Sequence, residues 1–142
     1  MAAHGDDERI AAILRRVRHI AMVGASAKPE RPSFGVMRFL QQHGYRVTPV
    51  NPGLAGQSLL GETVHASLRD VPLPVDMVDI FRASDQVGPV VADAIAIGAG
   101  VVWMQLGVVN EPAAAAARAA GIEVVMDYCP KIEISRLGLL PR

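Results

Sequence analysis

The sequence predicts an α/β fold, a three-layer α/β/α arrangement in which helices cover both faces of a mainly parallel five-stranded sheet. Apolar runs of strand length alternate along the chain with segments of helical periodicity, as in successive strand-helix-strand units. The runs are largely apolar instead of alternating with polar residues, which is typical of parallel strands covered on both sides. The predicted strands are His19–Val23, Tyr45–Val50, Val75–Phe81, Val101–Gln105 and Glu123–Met126.

The first strand is flanked by two predicted helices. Segment Asp6–Arg16 carries apolar residues such as Ile10 and Leu14 at helical spacing, which predicts a short amphipathic helix with no functional role. After the first strand, Ser33 is expected to cap a second helix that ends at Gly44.

The second strand contains Pro49, which has no backbone N–H to donate to a sheet, so this strand is expected at an edge or to finish there. Residues 51–74 are rich in glycine and proline and predict a loop with one helical turn near Ala66–Arg69. Cap residues and apolar periodicity predict three further helices. They run from Ser84 or Asp85 to Gly98, from Asn110 to Gly121, and over Lys131–Leu137.

The turn after the first strand is the first candidate binding site. In parallel sheets ligands bind beyond the carboxyl ends of the strands, where the strand order reverses. Gly24–Ser26 lead through a basic loop into a helix, and the N–H groups and positive dipole end there suit a phosphate. Lys28 and Arg31 lie in that loop and Arg82 follows the third strand, so three cations are expected at one edge.

The same turn lacks the signals of an NAD site. Such sites have G-x-G-x-x-G at the first turn and an acidic residue about 20 residues later, which binds the ribose hydroxyls. Here the turn reads G-A-S-A-K-P and the second strand ends in Val50-Asn51-Pro52. With three cations nearby, this combination favours a ligand that carries more phosphate charge than NAD.

Composition bounds the possible functions. The 142 residues contain 14 Lys and Arg and 14 Asp and Glu, so no net field attracts nucleic acid or an anionic membrane. The one cysteine, Cys129, excludes an internal disulfide. The start of the chain does not resemble a signal peptide, and no apolar run is long enough to span a bilayer. A cytoplasmic protein is expected.

Several motifs carry a family resemblance: VGAS-x-K-P-x-R-P-S, PVNP, VDMVDIFR and VVWMQLGVVNEPAAAAARAAGIEVVMDYCPKIE. Together they resemble the small bacterial CoA-binding proteins called YccU-like. Those proteins are in turn similar to the N-terminal CoA-binding domain of the succinyl-CoA synthetase alpha subunit. The resemblance covers about Arg18–Leu137. It implies a single Rossmann-like domain over residues 1–142, with a helix in 1–16 packed beside it, that binds coenzyme A.

The resemblance also implies which residues bind the cofactor. It places the CoA phosphates against the backbone of the first turn and near its basic loop, with the end of the second strand along the nucleotide. Residues at the ends of the third and fourth strands then flank the cofactor. The implied cofactor-binding residues are Gly24, Ala25, Ser26, Lys28, Arg31, Ser33, Asn51, Pro52, Phe81, Arg82 and Gln105.

No catalytic constellation is found in the sequence. The synthetase keeps its phosphorylated histidine in a second domain, and the four histidines here, His4, His19, His43 and His65, lie in no motif that would orient a nucleophile. No spacing indicates a metal site. Cys129 is the one group with the chemistry to react, by forming a mixed disulfide with the CoA thiol, but packing is the expected role, since lone cysteines at strand ends mostly serve packing.

Three hypotheses follow. The leading one is a CoA or acyl-CoA binding protein with no catalysis of its own. The second is an NAD(P)-binding redox protein in which Arg31 or Arg82 contacts a 2′-phosphate. The third is a subunit that contributes the CoA site to an acyl-CoA ligase built from separate chains. A monomer or a small homo-oligomer is expected, since the alanine-rich segment Ala113–Ala120 offers a smooth helix face on which a second copy could pack. The sequence identifies no particular protein partner.

Overall fold

The structure, a computed structural model, describes residues 6–141. Residues 1–5, which include His4, and residue 142 lie outside the described residues. The helices are α1 Asp7–Arg16, α2 Pro32–Gln42, α3 Val87–Ala96, α4 Glu111–Ala119 and α5 Pro130–Arg136. The strands are β1 His19–Val23, β2 Arg46–Val50, β3 Ser58–Leu59, β4 Glu62–Thr63, β5 Met77–Ile80, β6 Val101–Met104 and β7 Glu123–Val125. None of the helices described is long and apolar enough to cross a membrane.

Five of these strands form a parallel sheet in the order β2-β1-β5-β6-β7. The chain passes from the inner strand β1 outward to β2 and then returns across β1 to β5, so the strand order reverses between β1 and β5. Helices α1, α2 and α5 pack on one face, and α3 and α4 pack on the other. The predicted Rossmann-like three-layer fold is therefore confirmed.

The inner strand β1 shows why the strand sequences are apolar on both sides. All five residues of β1 are buried. Ile20 and Met22 belong to the core under α1, α2 and α5, whereas Ala21 and Val23 belong to the core under α3 and α4. Because successive side chains point to opposite faces of a sheet, a strand between two helical layers has no position for a polar residue facing water.

Each of the two outer strands has a contact on its free edge. In β2, which is an edge strand as Pro49 predicts, the Pro49 carbonyl accepts a hydrogen bond from the His65 N–H at 3.0 Å, and the Asn51 N–H donates to the His65 carbonyl at 2.9 Å. At the opposite edge, the Arg9 guanidinium donates to the Val124 carbonyl of β7 at 2.9 Å. Proline is tolerated in β2 because its missing N–H faces this outer side.

The structure corrects three predicted boundaries. Ser33 is not the N-cap of α2: the helix begins at Pro32, whose fixed φ suits the first helical position, and Arg31 is the N-cap. A short 3-10 turn, Ser84–Gln86, precedes α3 in place of a cap at Ser84 or Asp85. The turn predicted near residues 66–69 lies at Leu68–Asp70.

The predicted loop of residues 51–74 also contains a small antiparallel hairpin. Strands β3 and β4 pair through a two-residue connection in which Leu60 has φ 49° and Gly61 has φ 83°. Two positive φ angles in such a connection define the turn type whose twist matches that of the strands. Leucine is rare at its first position, where asparagine or aspartate is usual, so the sequence carried only half of the usual hairpin signal.

Two aspartates near β5 have opposite environments. The Asp76 carboxylate accepts hydrogen bonds from the N–H groups of Arg18 and His19, at 3.0 and 2.9 Å. Asp79 is fully buried in the middle of β5, where its register neighbours are Met22 and Trp103, and neither of its carboxyl oxygens has a partner among the described residues. Burial raises the pKa of Asp79 well above its usual range, so the folded protein favours the neutral acid.

We predict that Asp79→Asn makes the protein more stable at neutral pH and flattens its pH dependence. The folded pKa of Asp79 lies above the unfolded value of 3.8, so the favourable contribution of the neutral acid is complete below that pH and is lost as the pH rises through the folded pKa. Urea unfolding at about pH 4.5 and pH 7.5 measures both effects. Parallel losses of stability in the native protein and the variant would contradict the prediction.

The control is Asp76→Asn, three positions earlier. This change replaces a carboxylate that accepts two backbone N–H groups with a weaker, uncharged acceptor. It is expected to lower the free energy of unfolding by about 1 to 2 kcal/mol at neutral pH, opposite in sign to the effect at Asp79.

Candidate functional site

A cleft of about 650 Å³ opens at the carboxyl ends of β1, β5, β6 and β7, on the face of the sheet that carries α2 and α5. It includes the point between β1 and β5 where the strand order reverses, which is where open parallel sheets bind ligands. The cleft is lined by Gly24, Ala25, Ser26, Lys28, Arg31, Pro32, Ser33, Val36, Asn51, Phe81, Arg82, Ala83, Gln105, Leu106, Val108, Cys129 and Ile132.

The turn at Gly24 lines the cleft at the end of β1. Gly24 has φ 89°, and a Cβ atom there would lie 2.1 Å from the Phe81 carbonyl oxygen, so this position admits only glycine. The N–H groups of Gly24 and Ala25 both donate to the Val50 carbonyl, at 3.0 and 3.3 Å. The expectation that these two N–H groups face a phosphate is therefore wrong, because they close the turn onto β2.

Asn51 holds this turn in place. Its side-chain Nδ2 donates to the Ala25 carbonyl at 2.8 Å, and its Oδ1 accepts from the Gly53 N–H at 2.8 Å. The residue lines the cleft, but both polar atoms of its side chain already have protein partners. The Asn51 side chain therefore links the end of β2 to the turn after β1.

The start of α2 presents free N–H groups to the cleft. Among the described residues, the backbone N–H groups of Ser26 and Ser33 donate no hydrogen bond, and the N-cap Arg31 provides no side-chain cap. The loop between them is ordered by hydrogen bonds from the Lys28 N–H to the Ser26 hydroxyl oxygen, at 3.1 Å, and from the Arg31 N–H to the Lys28 carbonyl, at 3.0 Å. Uncapped N–H groups at a helix N-terminus bind anions.

Three exposed cations surround that helix start. Lys28 and Arg31 come from the loop after β1 and Arg82 from the residue pair after β5. None of the three forms an ion pair within residues 6–141, and Glu30, in the same loop, does not line the cleft. This end of the cleft, which we call the basic end, is thus electropositive, and its charges are free to meet an anionic ligand.

The far side of the cleft, after β6 and β7, is apolar. Leu106, Val108 and Ile132 line it together with Cys129, and we call it the apolar end. Val36, in α2, also lines the cleft. Gln105 lies between the two ends; it is only 6% exposed, and its side-chain carbonyl oxygen has no partner among the described residues. A buried acceptor without a donor is costly, which indicates that a ligand or water donates to it.

The structure brings together ten of the eleven residues that the sequence analysis selected. The exception is Pro52, which lines a separate cavity of about 140 Å³ that shares Gly24 and Arg82 with the cleft. The sequence analysis missed the apolar lining: Val36, Leu106, Val108 and Ile132. Only their position in the sequence could have identified three of them: Leu106 and Val108 follow the end of a predicted strand, and Ile132 lies in the first turn of the last predicted helix.

The described histidines lie outside the cleft. The His19 ring bonds to the Pro74 carbonyl through Nδ1 at 2.7 Å and to the Thr48 hydroxyl through Nε2 at 2.8 Å, and its burial lowers its pKa. His43 bonds through Nε2 to the Leu139 carbonyl at 3.0 Å, and His65 pairs with the edge of β2. Within residues 6–141, no group of three or more His, Cys, Asp or Glu side chains is placed to hold a metal ion.

Comparison with known families assigns the chain. The model of the family described as "CoA binding domain" matches residues 18–135, which include all five strands of the sheet and the whole lining of the cleft. The chain belongs to this family. A CoA-related ligand is therefore indicated for it, in agreement with the expected resemblance.

Relatives support the same assignment. The chain is 38% identical over 120 residues to the uncharacterized protein YneT of Bacillus subtilis, covering 84% of this chain and 87% of that protein. A hypothetical protein from Pyrococcus horikoshii OT3 has a similar structure, with a TM-score of 0.88 and 41% identity, over 92% of this chain and 91% of that one. The chain is also similar to part of the dinucleotide-forming acetyl-coenzyme A synthetase 1 of Ca. Korarchaeum cryptofilum, at 27% identity and a TM-score of 0.65. This match covers 75% of the present chain but only 25% of the synthetase chain.

We predict that Gly24→Ala strongly destabilises the protein. The substitution requires a left-handed conformation for alanine and puts Cβ against a backbone oxygen that cannot move without disturbing β5. A loss of about 3 kcal/mol or more is expected. Denaturant unfolding measures it.

Gly35→Ala is the matched control for this prediction. Gly35 lies inside α2 and a Cβ atom there would have no neighbour within 4 Å. Alanine is expected to stabilise the helix by about 0.5 to 1 kcal/mol. Similar effects of the two substitutions would mean that the turn tolerates a side chain and does not depend on glycine.

Proposed function

We propose that this protein binds coenzyme A or an acyl-CoA in the cleft and performs no catalysis of its own. The observation that carries the proposal is the polarity of the cleft, with phosphate-binding features at one end and an apolar lining at the other. Coenzyme A has the same polarity, since its nucleotide end carries phosphate groups and its pantetheine arm is largely apolar between amide groups.

The basic end suits the phosphates. Ser26, in the loop after β1, and Ser33, in the first turn of α2, offer backbone N–H groups. Lys28, Arg31 and Arg82 add charges that no protein carboxylate neutralises within residues 6–141. Charge-assisted hydrogen bonds from several donors to one group of anionic oxygens are the strong kind. The donors come from two strand ends, so a ligand that reaches all of them must lie across β1 and β5.

The middle and apolar end suit the pantetheine arm. Gln105 has a buried acceptor without a donor, and an amide N–H of the arm would satisfy it. Beyond it, Val108 is buried and provides an apolar wall together with Leu106 and Ile132. A ligand lying from Arg31 to this wall therefore meets the chemistry of coenzyme A in the order in which coenzyme A presents it.

The lining also supports binding without catalysis. The ionisable side chains among the cleft residues are Lys28, Arg31, Arg82 and Cys129, with no carboxylate and no imidazole among the described lining. General acid and base catalysis near neutral pH most often uses those two groups. This lining supports the proposed binding role, in which CoA is held, sensed or delivered.

Calorimetric titration with CoA, acetyl-CoA, NAD and NADP in one buffer tests the proposal. Binding confined to CoA and acetyl-CoA is expected. Tighter binding of a dinucleotide would overturn it and make Arg31 and Arg82 contacts of a 2′-phosphate. Intact acetyl-CoA after prolonged incubation with the protein is the expected result for a non-catalytic role, and hydrolysis would contradict that part.

We predict that Arg31→Ala weakens CoA binding about tenfold, which corresponds to about 1.4 kcal/mol, because one charge-assisted phosphate contact is lost. The difference between native and variant affinity is expected to shrink as salt is added, since exposed charges are screened. Arg118→Ala is the control: it removes the same charge from α4, outside the cleft, and should leave the affinity unchanged. Equal affinities of the native protein and Arg31→Ala would exclude a phosphate contact at Arg31.

A second candidate function has one specific observation in its favour. The match to a quarter of an acetyl-coenzyme A synthetase chain raises the hypothesis that this protein supplies the CoA site of an acyl-CoA ligase built from separate chains. The test mixes the purified protein with a candidate ATP-grasp subunit, acetate, ATP and CoA. Acetyl-CoA formed only by the mixture would support this role, and none formed with any such subunit would oppose it.

A further inference from the structure

The cleft has a direction set by the strand order. The basic end follows β1 and β5, and the apolar end follows β6 and β7. Neighbouring strands lie about 4.8 Å apart, so the β7 end of the cleft is roughly 14 Å from the β1 end. If the phosphates of coenzyme A occupy the basic end, as in the proposed function on which this inference rests, the arm extends toward β7 and its thiol lies near the end of the cleft.

Gln105 gives an independent marker along this path. Gln105 lines the cleft at the end of β6, and its side-chain carbonyl oxygen is buried and has no donor among the described residues. The oxygen therefore indicates where a hydrogen-bond donor of the ligand lies, one strand before β7. An arm that places an amide at Gln105 continues toward the residues after β7.

Cys129 is the residue that the arm then meets. It follows β7, lines the cleft and is only 5% exposed, so its sulfur is approached through the cleft. The chain before it is fixed by two hydrogen bonds: the Trp103 indole N–H donates to the Tyr128 carbonyl at 2.9 Å, and the Asp127 carboxylate accepts from the Gly107 N–H at 2.7 Å. The thiol is thus presented by a rigid segment.

The mouth of the cleft next to Cys129 is open. Leu106 and Ile132 line the cleft and are 55% and 49% exposed. A disulfide of two coenzyme A molecules therefore has room to place one half in the cleft and leave the other half in solvent. The open mouth also lets a leaving thiol escape.

We propose that Cys129 is a redox modification site at which bound coenzyme A becomes covalently attached through a mixed disulfide. The sulfur of Cys129, as thiolate, attacks one sulfur of the coenzyme A disulfide. The disulfide bond of that molecule breaks, a bond between the Cys129 sulfur and the bound coenzyme A forms, and the second coenzyme A leaves as a thiolate that takes up the proton. The Cys129 sulfur is oxidised to the disulfide level as the sulfur of the leaving coenzyme A is reduced to the thiol level, and a thiol reductant reverses the step.

Intact-protein mass spectrometry after incubation with coenzyme A disulfide tests the proposal. The native protein is expected to gain the mass of one coenzyme A less two hydrogens and to lose it on treatment with dithiothreitol. Cys129→Ser and Cys129→Ala are both expected to show no adduct, so the result does not depend on one variant folding well. No adduct on the native protein would overturn the proposal.

Rates distinguish a guided reaction from ordinary thiol chemistry. The native protein is expected to react at least tenfold faster with coenzyme A disulfide than with glutathione disulfide, and Arg31→Ala is expected to slow only the first reaction. Equal rates with both disulfides would show an unguided cysteine and overturn the proposal. Calorimetry under reducing conditions separates the two levels: coenzyme A binding without an adduct contradicts only the attachment, whereas absence of binding contradicts the proposed function itself.

Discussion

The contact between Gly24 and the end of β5 is the constraint on which the site depends. With only a hydrogen at its α-carbon, Gly24 lies against the Phe81 carbonyl, while its own N–H and that of Ala25 bind the Val50 carbonyl. The ends of β1, β2 and β5 are therefore held together by one turn. The loop that carries Lys28 and Arg31 starts at this turn, so the position of the cations relative to Arg82 follows from a backbone contact.

The fold was largely predictable because its strands are apolar and because cap residues, glycines and prolines mark the ends of its helices. The residues of β1 are buried on both faces, which leaves an uninterrupted apolar run, and Pro49 indicated the edge position of β2. Features that depend on tertiary contacts were not predictable. The N-cap of α2 is Arg31 and not the predicted Ser33, because Pro32 suits the first helical position. The hairpin turn has a positive φ at Leu60, a residue type that seldom adopts one.

The charged and glycine-rich part of the candidate site was predictable from the sequence, whereas its apolar part was not. Cations and glycines at strand ends stand out in a sequence, and most of the residues selected that way line one cleft. An apolar wall cannot be recognised in the same way, since Val36 and Val108 look like any core residue until the helices are packed. The donors at the first turn were misjudged because a sequence does not reveal that the Val50 carbonyl already occupies them.

Both outer strands of the sheet are contacted on their free edges by groups of the same chain. On β2 the Pro49 carbonyl and the Asn51 N–H pair with His65, and on β7 the Arg9 guanidinium holds the Val124 carbonyl. A sheet edge with unpaired backbone groups is a template for strand addition and for aggregation. Because these edges offer few such groups, a protein partner of this chain is expected to dock on helix surfaces or at the mouth of the cleft, and not to extend the sheet.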